Sequence, residues 1–223
     1  MNDAVTNGAN IEYGAEPPIL DIRSVLPPKG FITDYVDTYE PLTESPAVFH
    51  LGTAIVTAAA VVAPTVCYRF TNNLRPNIYA LLVGSSGTSR KTSALGIGQR
   101  HFVTFKNAKF PKKEDDDIPG PRGVDLLGSM CSAEAVVDDL GRNDCVGFFS
   151  EFRQTFGGGS KDYQSKIVPL MTDLYDCPPE YRISFKANKR GGRSCIRSIQ
   201  DPVVSLISAT SPEYFTLNGG DAA

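Results

Sequence analysis

Lys91 and Thr92 are the residues whose types and neighbours point most directly to chemistry. They close the stretch Gly84-Ser85-Ser86-Gly87-Thr88-Ser89-Arg90-Lys91-Thr92, which follows the apolar run Ile78-Tyr79-Ala80-Leu81-Leu82-Val83. Glycines and small hydroxyl residues let backbone N–H groups converge on phosphate oxygens. A lysine directly after such a turn would set a cation on the β- and γ-phosphates of a nucleotide, and the Thr92 hydroxyl would take a place on Mg²⁺. Strand, glycine-rich turn, Lys-Thr and helix is the order of a phosphate-binding loop. Two features depart from the usual pattern. Arg90 stands where a glycine normally precedes the lysine, and Gly84 lies seven positions before Lys91, one more than usual. A glycine- and serine-rich turn after a core strand, with no ligand, is the plainer alternative; Lys-Thr directly after the turn argues against it.

A second group comes from Cys145-Val146-Gly147-Phe148-Phe149-Ser150-Glu151, an apolar strand ending in an acidic residue, which is the Walker B layout. On a parallel sheet the carboxyl ends of strands converge where ligands sit. There Glu151 could hold Mg²⁺ or polarise an attacking water. A third strand, Pro202 to Ala209, runs into Thr210-Ser211-Pro212-Glu213, where a polar residue could reach the γ-phosphate or that water.

Holding three strand ends together requires an α/β fold with a parallel sheet. Phe31, Ile32, Tyr35 and Val36 recur at helical spacing. Ser45-Pro46 reads as an N-cap with proline at the first helical position, opening a helix that runs toward Ala63 and stops at Pro64. A helix from Ser93 to about Asn107 would face the phosphates with its N-terminus. Val124 to Met130 reads as a strand, and Ser132 as the cap of a helix from Ala133 to Leu140. Ser160 opens a further helix with Tyr163, Ile167, Leu170, Met171 and Leu174 on one face, interrupted by Pro169. These elements divide the chain into a disordered tail (1–24), a helical prelude (25–72) and the sheet-containing core (73–223). The chain reaches Gly219-Gly220-Asp221-Ala222-Ala223 without a closing element, which suggests a core truncated at its C-terminus.

Tyr181 to Lys186 alternates as a half-exposed strand does, and Arg193 to Ile199 returns after a turn. The hairpin carries Arg182, Lys186, Lys189, Arg190, Arg193 and Arg197. It could touch a nucleic-acid backbone, with Lys189, Arg190 and Arg193 as the contacts, or a neighbouring subunit's nucleotide, or be a solvated basic hairpin.

With 223 residues and a formal net charge of −3, the chain has no global bias toward nucleic acid, so any such contact must be local. Five scattered cysteines without a C-x-x-C pair suit reduced thiols in a cytoplasm better than disulfides or zinc. Two histidines argue against a His-based metal centre. The N-terminus lacks a basic region followed by an apolar core. Ala47 to Ala63, the one apolar stretch of note, is too short and too polar to span a bilayer and reads as a buried helix.

Together the pieces make the chain resemble a RecA-like P-loop ATPase family of plasmid, prophage and integrative-element replication proteins, linked to primase and helicase functions. The resemblance is carried by four features: Leu26-Pro27-Pro28 with the prelude; Pro76-Asn77-Ile78-Tyr79 leading into Gly84 to Thr92; the strand ending at Glu151; and Ser208-Ala209-Thr210-Ser211-Pro212-Glu213. It implies a mostly parallel sheet flanked by helices, ATP and Mg²⁺ as ligands, Lys91 and Thr92 on phosphate and metal, Glu151 as catalytic base, and Thr210 near the γ-phosphate. It also implies that the strand at Val203 to Ser208 lies between the other two. Ser150 stands where the family commonly has an Asp holding the Mg²⁺ water shell. The family's arginine finger would lie beyond Ala223. The resemblance implies an ATPase motor in a ring-forming homo-oligomer, acting on single-stranded or duplex DNA with a primase or other replication partner, away from membranes. A nucleotide switch with little hydrolysis, and a DNA-binding assembly module built on the basic hairpin, stay open as alternatives.

Overall fold

The computed structural model describes residues 21–69, 73–109, 123–128, 132–156, 166–185 and 195–213. Its centre is a four-stranded, wholly parallel sheet of β3 (Tyr79–Val83), β4 (Val124–Leu126), β5 (Asp144–Phe149) and β8 (Val204–Thr210), in the order β3-β8-β5-β4. The strand at Val204–Thr210 therefore lies between the other two site-bearing strands, as expected. Each residue of β8 is buried, because a parallel sheet covered on both faces needs near-continuous apolar strands. Its buried serines are paired: Ser205 Oγ accepts from Ile78 N at 3.3 Å, and Ser208 Oγ donates to Phe149 O at 3.1 Å.

Helices cover both faces. On one, α3 (Ala47–Val62) contributes Phe49, Val56 and Ala60, and α4 (Lys91–Lys109) contributes Ala94, Leu95 and Phe102, packed on Leu82, Val146 and Ile207. On the other, α5 (Ala133–Leu140), α6 (Phe152–Phe156) and α7 (Ile167–Tyr175) pack Val136, Val137, Phe156, Leu170 and Leu174 on Cys145, Phe149 and Leu206. The chain is thus an α/β fold with a parallel central sheet flanked by helices. Although α3 belongs to the stretch read as a prelude, it shares the core of the sheet. Outside it, α2 (Phe31–Tyr39) buries Tyr35 and Val36, and α1 (Ile22–Val25) is a single turn capped by Asp21.

Several expectations shift. Of the expected tail, residues 1–20 lie outside the described residues, and Ile22 to Ser24 belong to α1. Pro46, not Ser45, is the N-cap of α3, because the Ser45 hydroxyl is used elsewhere, donating to Arg90 O at 2.6 Å. The strand expected from Val124 to Met130 ends at Leu126. Pro169 does not interrupt α7; it sits in the first turn, where its missing N–H would have had no intrahelical acceptor. Ser132 caps α5 as expected, accepting from Ala135 N at 3.3 Å. The basic hairpin forms as a separate antiparallel pair of β6 (Glu180–Phe185) and β7 (Cys195–Gln200), registered from Glu180↔Gln200 to Phe185↔Cys195. A smaller pair joins β1 (Tyr68–Arg69) to β2 (Asn73–Leu74). Among the described residues no helix is long and apolar enough to cross a membrane.

Candidate functional site

The glycine-rich loop leaves β3 at Gly84, whose N–H donates to Thr210 O at 3.2 Å and so ties the start of the loop to the end of β8. Gly84 has no room for a side chain: a β-carbon there would stand 2.7 Å from Ser89 Oγ and 2.9 Å from Phe49 Cζ. The loop folds back on itself through Ser89 Oγ, which donates to Ser85 O at 2.5 Å. Gly87 and Arg90 both adopt left-handed backbone, with φ of 81° and 45°. The position before Lys91 thus has the conformation a glycine takes freely, although an arginine occupies it.

Lys91 opens α4, and its ammonium donates to Gly84 O, to Ser85 O at 3.1 Å and to Ser89 Oγ at 3.4 Å. The side chain lies along the inside of the loop, satisfied by two carbonyls. The Lys91 and Thr92 N–H groups, in the first turn of a helix, have no intrahelical acceptor and carry the positive end of its dipole.

A polar cleft of about 270 Å³ is lined by Ser86, Gly87, Arg90, Lys91, Thr92 and Ser93 from the loop and α4, by Ser150 and Glu151 after β5, and by Ser211 after β8. The segments after three adjacent parallel strands therefore meet at one place, the carboxyl edge of the sheet. Of the residues singled out in the sequence, Ser86, Gly87, Arg90, Lys91, Thr92, Ser150 and Glu151 line it together. Gly84, Ser85 and Ser89 shape the loop behind them, and Thr88 is exposed on it. Thr210 is 1% exposed and does not line the cleft; Ser211 does. The Thr210 carbonyl pins Gly84, while its Oγ1 has no hydrogen-bond partner among the described residues.

Sequence reasoning passed over Ser211 and Glu213 as individual residues. Glu213 is held below the usual carboxylate range, first by a hydrogen bond from the Ser211 side chain and, to a lesser extent, by the charge of Lys91. A Ser-x-Glu step at the end of a buried strand was the available signal. It also passed over Glu44, and read Ser45 only as a helix cap; both reach the loop at Arg90, whose Nε donates to Glu44 Oε2 at 2.7 Å.

No protein-family model matches the chain, and no curated protein matches it. Its chemistry rests on its own residues.

The donors at the cleft fit a hydrated hard cation brought in with phosphates. They comprise the hydroxyls of Thr92 and Ser150 and the carboxylate of Glu151, and Mg²⁺ binds through few protein ligands and keeps its waters. Among the described residues there is no group of three or more His, Cys, Asp or Glu that would hold a metal by itself. Of the basic hairpin's cations, Arg182 pairs with Glu180 at 2.8 Å and Arg197 with Asp138 of α5. Lys189, Arg190 and Arg193 lie outside the described residues.

Proposed function

We propose that this chain is the ATP-binding and hydrolysing motor module, RecA-like in architecture, of a mobile-element DNA replication protein associated with a helicase or primase. One observation carries the reading: Lys91, Thr92, Ser150, Glu151 and Ser211 share a single polar cleft at the carboxyl edge of a parallel sheet. The strand order supports it, because β8 separates the strand leading to Lys91 from the strand leading to Glu151.

In this reading Lys91 exchanges the Gly84 and Ser85 carbonyls for the β- and γ-phosphates of ATP, while Gly87 and the N–H groups at the start of α4 wrap the phosphate oxygens. Thr92, and Ser150 through water, would hold Mg²⁺, which neutralises charge on the phosphates when bound. Glu151 orients the attacking water in line with the γ-phosphate and takes its proton. Ser211 supplies the hydroxyl that the sequence suggested for Thr210, with Thr210 fixing the loop from behind. A ring of identical subunits on single-stranded or duplex DNA would complete each site with a neighbour's arginine.

A nucleotide switch with little hydrolysis is the second reading. It is favoured by Ser150, which replaces a carboxylate with a neutral ligand.

The test is ATP binding and turnover by the full chain and by Lys91→Ala, with and without single-stranded DNA. Lys91-dependent binding with DNA-stimulated turnover supports the motor. Lys91-dependent binding without turnover supports the switch. Binding that ignores Lys91 defeats both.

A further inference from the structure

We infer that Arg90 and Glu44 form a charge gate on this cleft, in which Glu44 holds the Arg90 guanidinium while the site is empty and a bound nucleotide's phosphates take it over. The inference rests on the nucleotide reading above and adds to it a second cation and its regulator, both from this chain.

Arg90 lines the cleft beside Lys91 and Thr92. Its backbone is fixed from several directions. The carbonyl accepts from the Ser45 hydroxyl at 2.6 Å, from Ser93 N at 3.0 Å and from Ala94 N at 3.4 Å. The side chain is held far more lightly. Its one contact is Nε to Glu44 Oε2 at 2.7 Å, which leaves both terminal nitrogens without a partner among the described residues. The side chains of the pair are 53% and 75% exposed, and an ion pair so open to water is weak. A rigidly rooted, loosely held guanidinium lining a polar cleft is poised to change partners.

The direction of the exchange follows from the acceptors. Glu44 takes one N–H from Arg90 in solvent. A polyphosphate presents several charged oxygens that can accept two parallel N–H groups at once, the geometry for which arginine is best suited. The backbone points the same way. A non-glycine residue at φ 45° carries strain that glycine would not, and it sits at the one loop position directly before Lys91.

The experiment is isothermal titration of the full chain with ATP and Mg²⁺, alongside thermal unfolding of the ligand-free protein, for the wild type, Arg90→Gly, Arg90→Lys, Glu44→Gln and Lys91→Ala. Arg90→Gly should weaken ATP binding about tenfold while raising the unfolding temperature, since glycine relieves the left-handed strain. Binding and stability moving in opposite directions separates a ligand-facing arginine from a structural one. Arg90→Lys should recover part of the lost affinity. Glu44→Gln, at an exposed position that folding tolerates, should tighten binding about two- to threefold. Wild-type affinity in Arg90→Gly, or weaker binding in Glu44→Gln, overturns the gate, as does a loss of both affinity and stability in Arg90→Gly. Unchanged binding in Lys91→Ala overturns instead the nucleotide reading beneath it.

Discussion

A β-carbon on Gly98 would stand 2.2 Å from the Thr53 methyl carbon, so α4 meets α3 with no space for a side chain between them. The contact lies on the helix that carries Lys91, and Phe148 Cε1 closes it from the sheet at 3.2 Å. Gly98→Ala should therefore cost about 1–3 kcal/mol as the helices are forced apart, against the small gain that alanine normally brings to a helix interior. Urea unfolding measures it. A stabilised Gly98→Ala protein would mean that the helices part without cost.

Glu151 lines the cleft as the one carboxylate contributed by the segment after β5. Its proposed duty is to act on the attacking water and not to hold the nucleotide. Glu151→Gln should therefore keep ATP affinity within about threefold and lose on the order of 10²–10³ in turnover. Equal turnover in the variant and the wild type would remove Glu151 from the mechanism.

His50, on α3, is fully buried, close to Tyr35 and Tyr39 of α2. Thr43 Oγ1 stands 2.7 Å from His50 Nε2 and 3.1 Å from Tyr39 O, while His50 Nδ1 has no hydrogen-bond partner among the described residues. Burial pushes the imidazole below its ordinary 6.5, against a weaker opposing pull from Glu40. The unfolded chain therefore takes up a proton that the folded one refuses as pH falls. Stability contributed by neutral His50 is present above pH 6.5 and lost progressively below it. Denaturation curves between pH 7.5 and pH 5 should show that loss, and His50→Gln should flatten it. An identical pH slope in the variant would assign the loss to other groups.

Ser132 caps α5 through Ala135 N, and α5 buries Ala133, Val136, Val137 and Leu140 against the sheet. Ser132→Ala should cost about 1 kcal/mol, measured by urea unfolding, while Ser132→Gly should cost only a few tenths. Equal losses in both would point to something other than the cap.

What the sequence showed plainly were features written in neighbouring residues. The alternation of Tyr181 to Phe185, the apolar run into Thr210 and the cap at Ser132 are all local signals, and each found its element. The shift from Thr210 to Ser211 was hidden because an apolar strand does not announce where its last buried side chain falls. Thr210 continues β8 to its end, in register with Val83, and the cleft begins one residue later. Ser45 misled for a different reason. Its hydroxyl had a competing acceptor at Arg90, distant in sequence, so a good capping residue was drawn away from its own helix. The packing of α3 onto the sheet was equally illegible, because an Ala-rich helix shows no strongly polar face to reveal which side is buried.

The fully buried strand β8 gives the cleft a fixed gauge. Neighbouring strands lie about 4.8 Å apart, so β3 and β5, with β8 between them, are held about 10 Å apart at their carboxyl ends. That distance is a whole number of strand widths, and no substitution inside β8 can stretch it without breaking the ladders on both sides. Whatever tuning the site undergoes must therefore come from the loops, which lengthen, tighten or turn around a span that the backbone itself has already measured out.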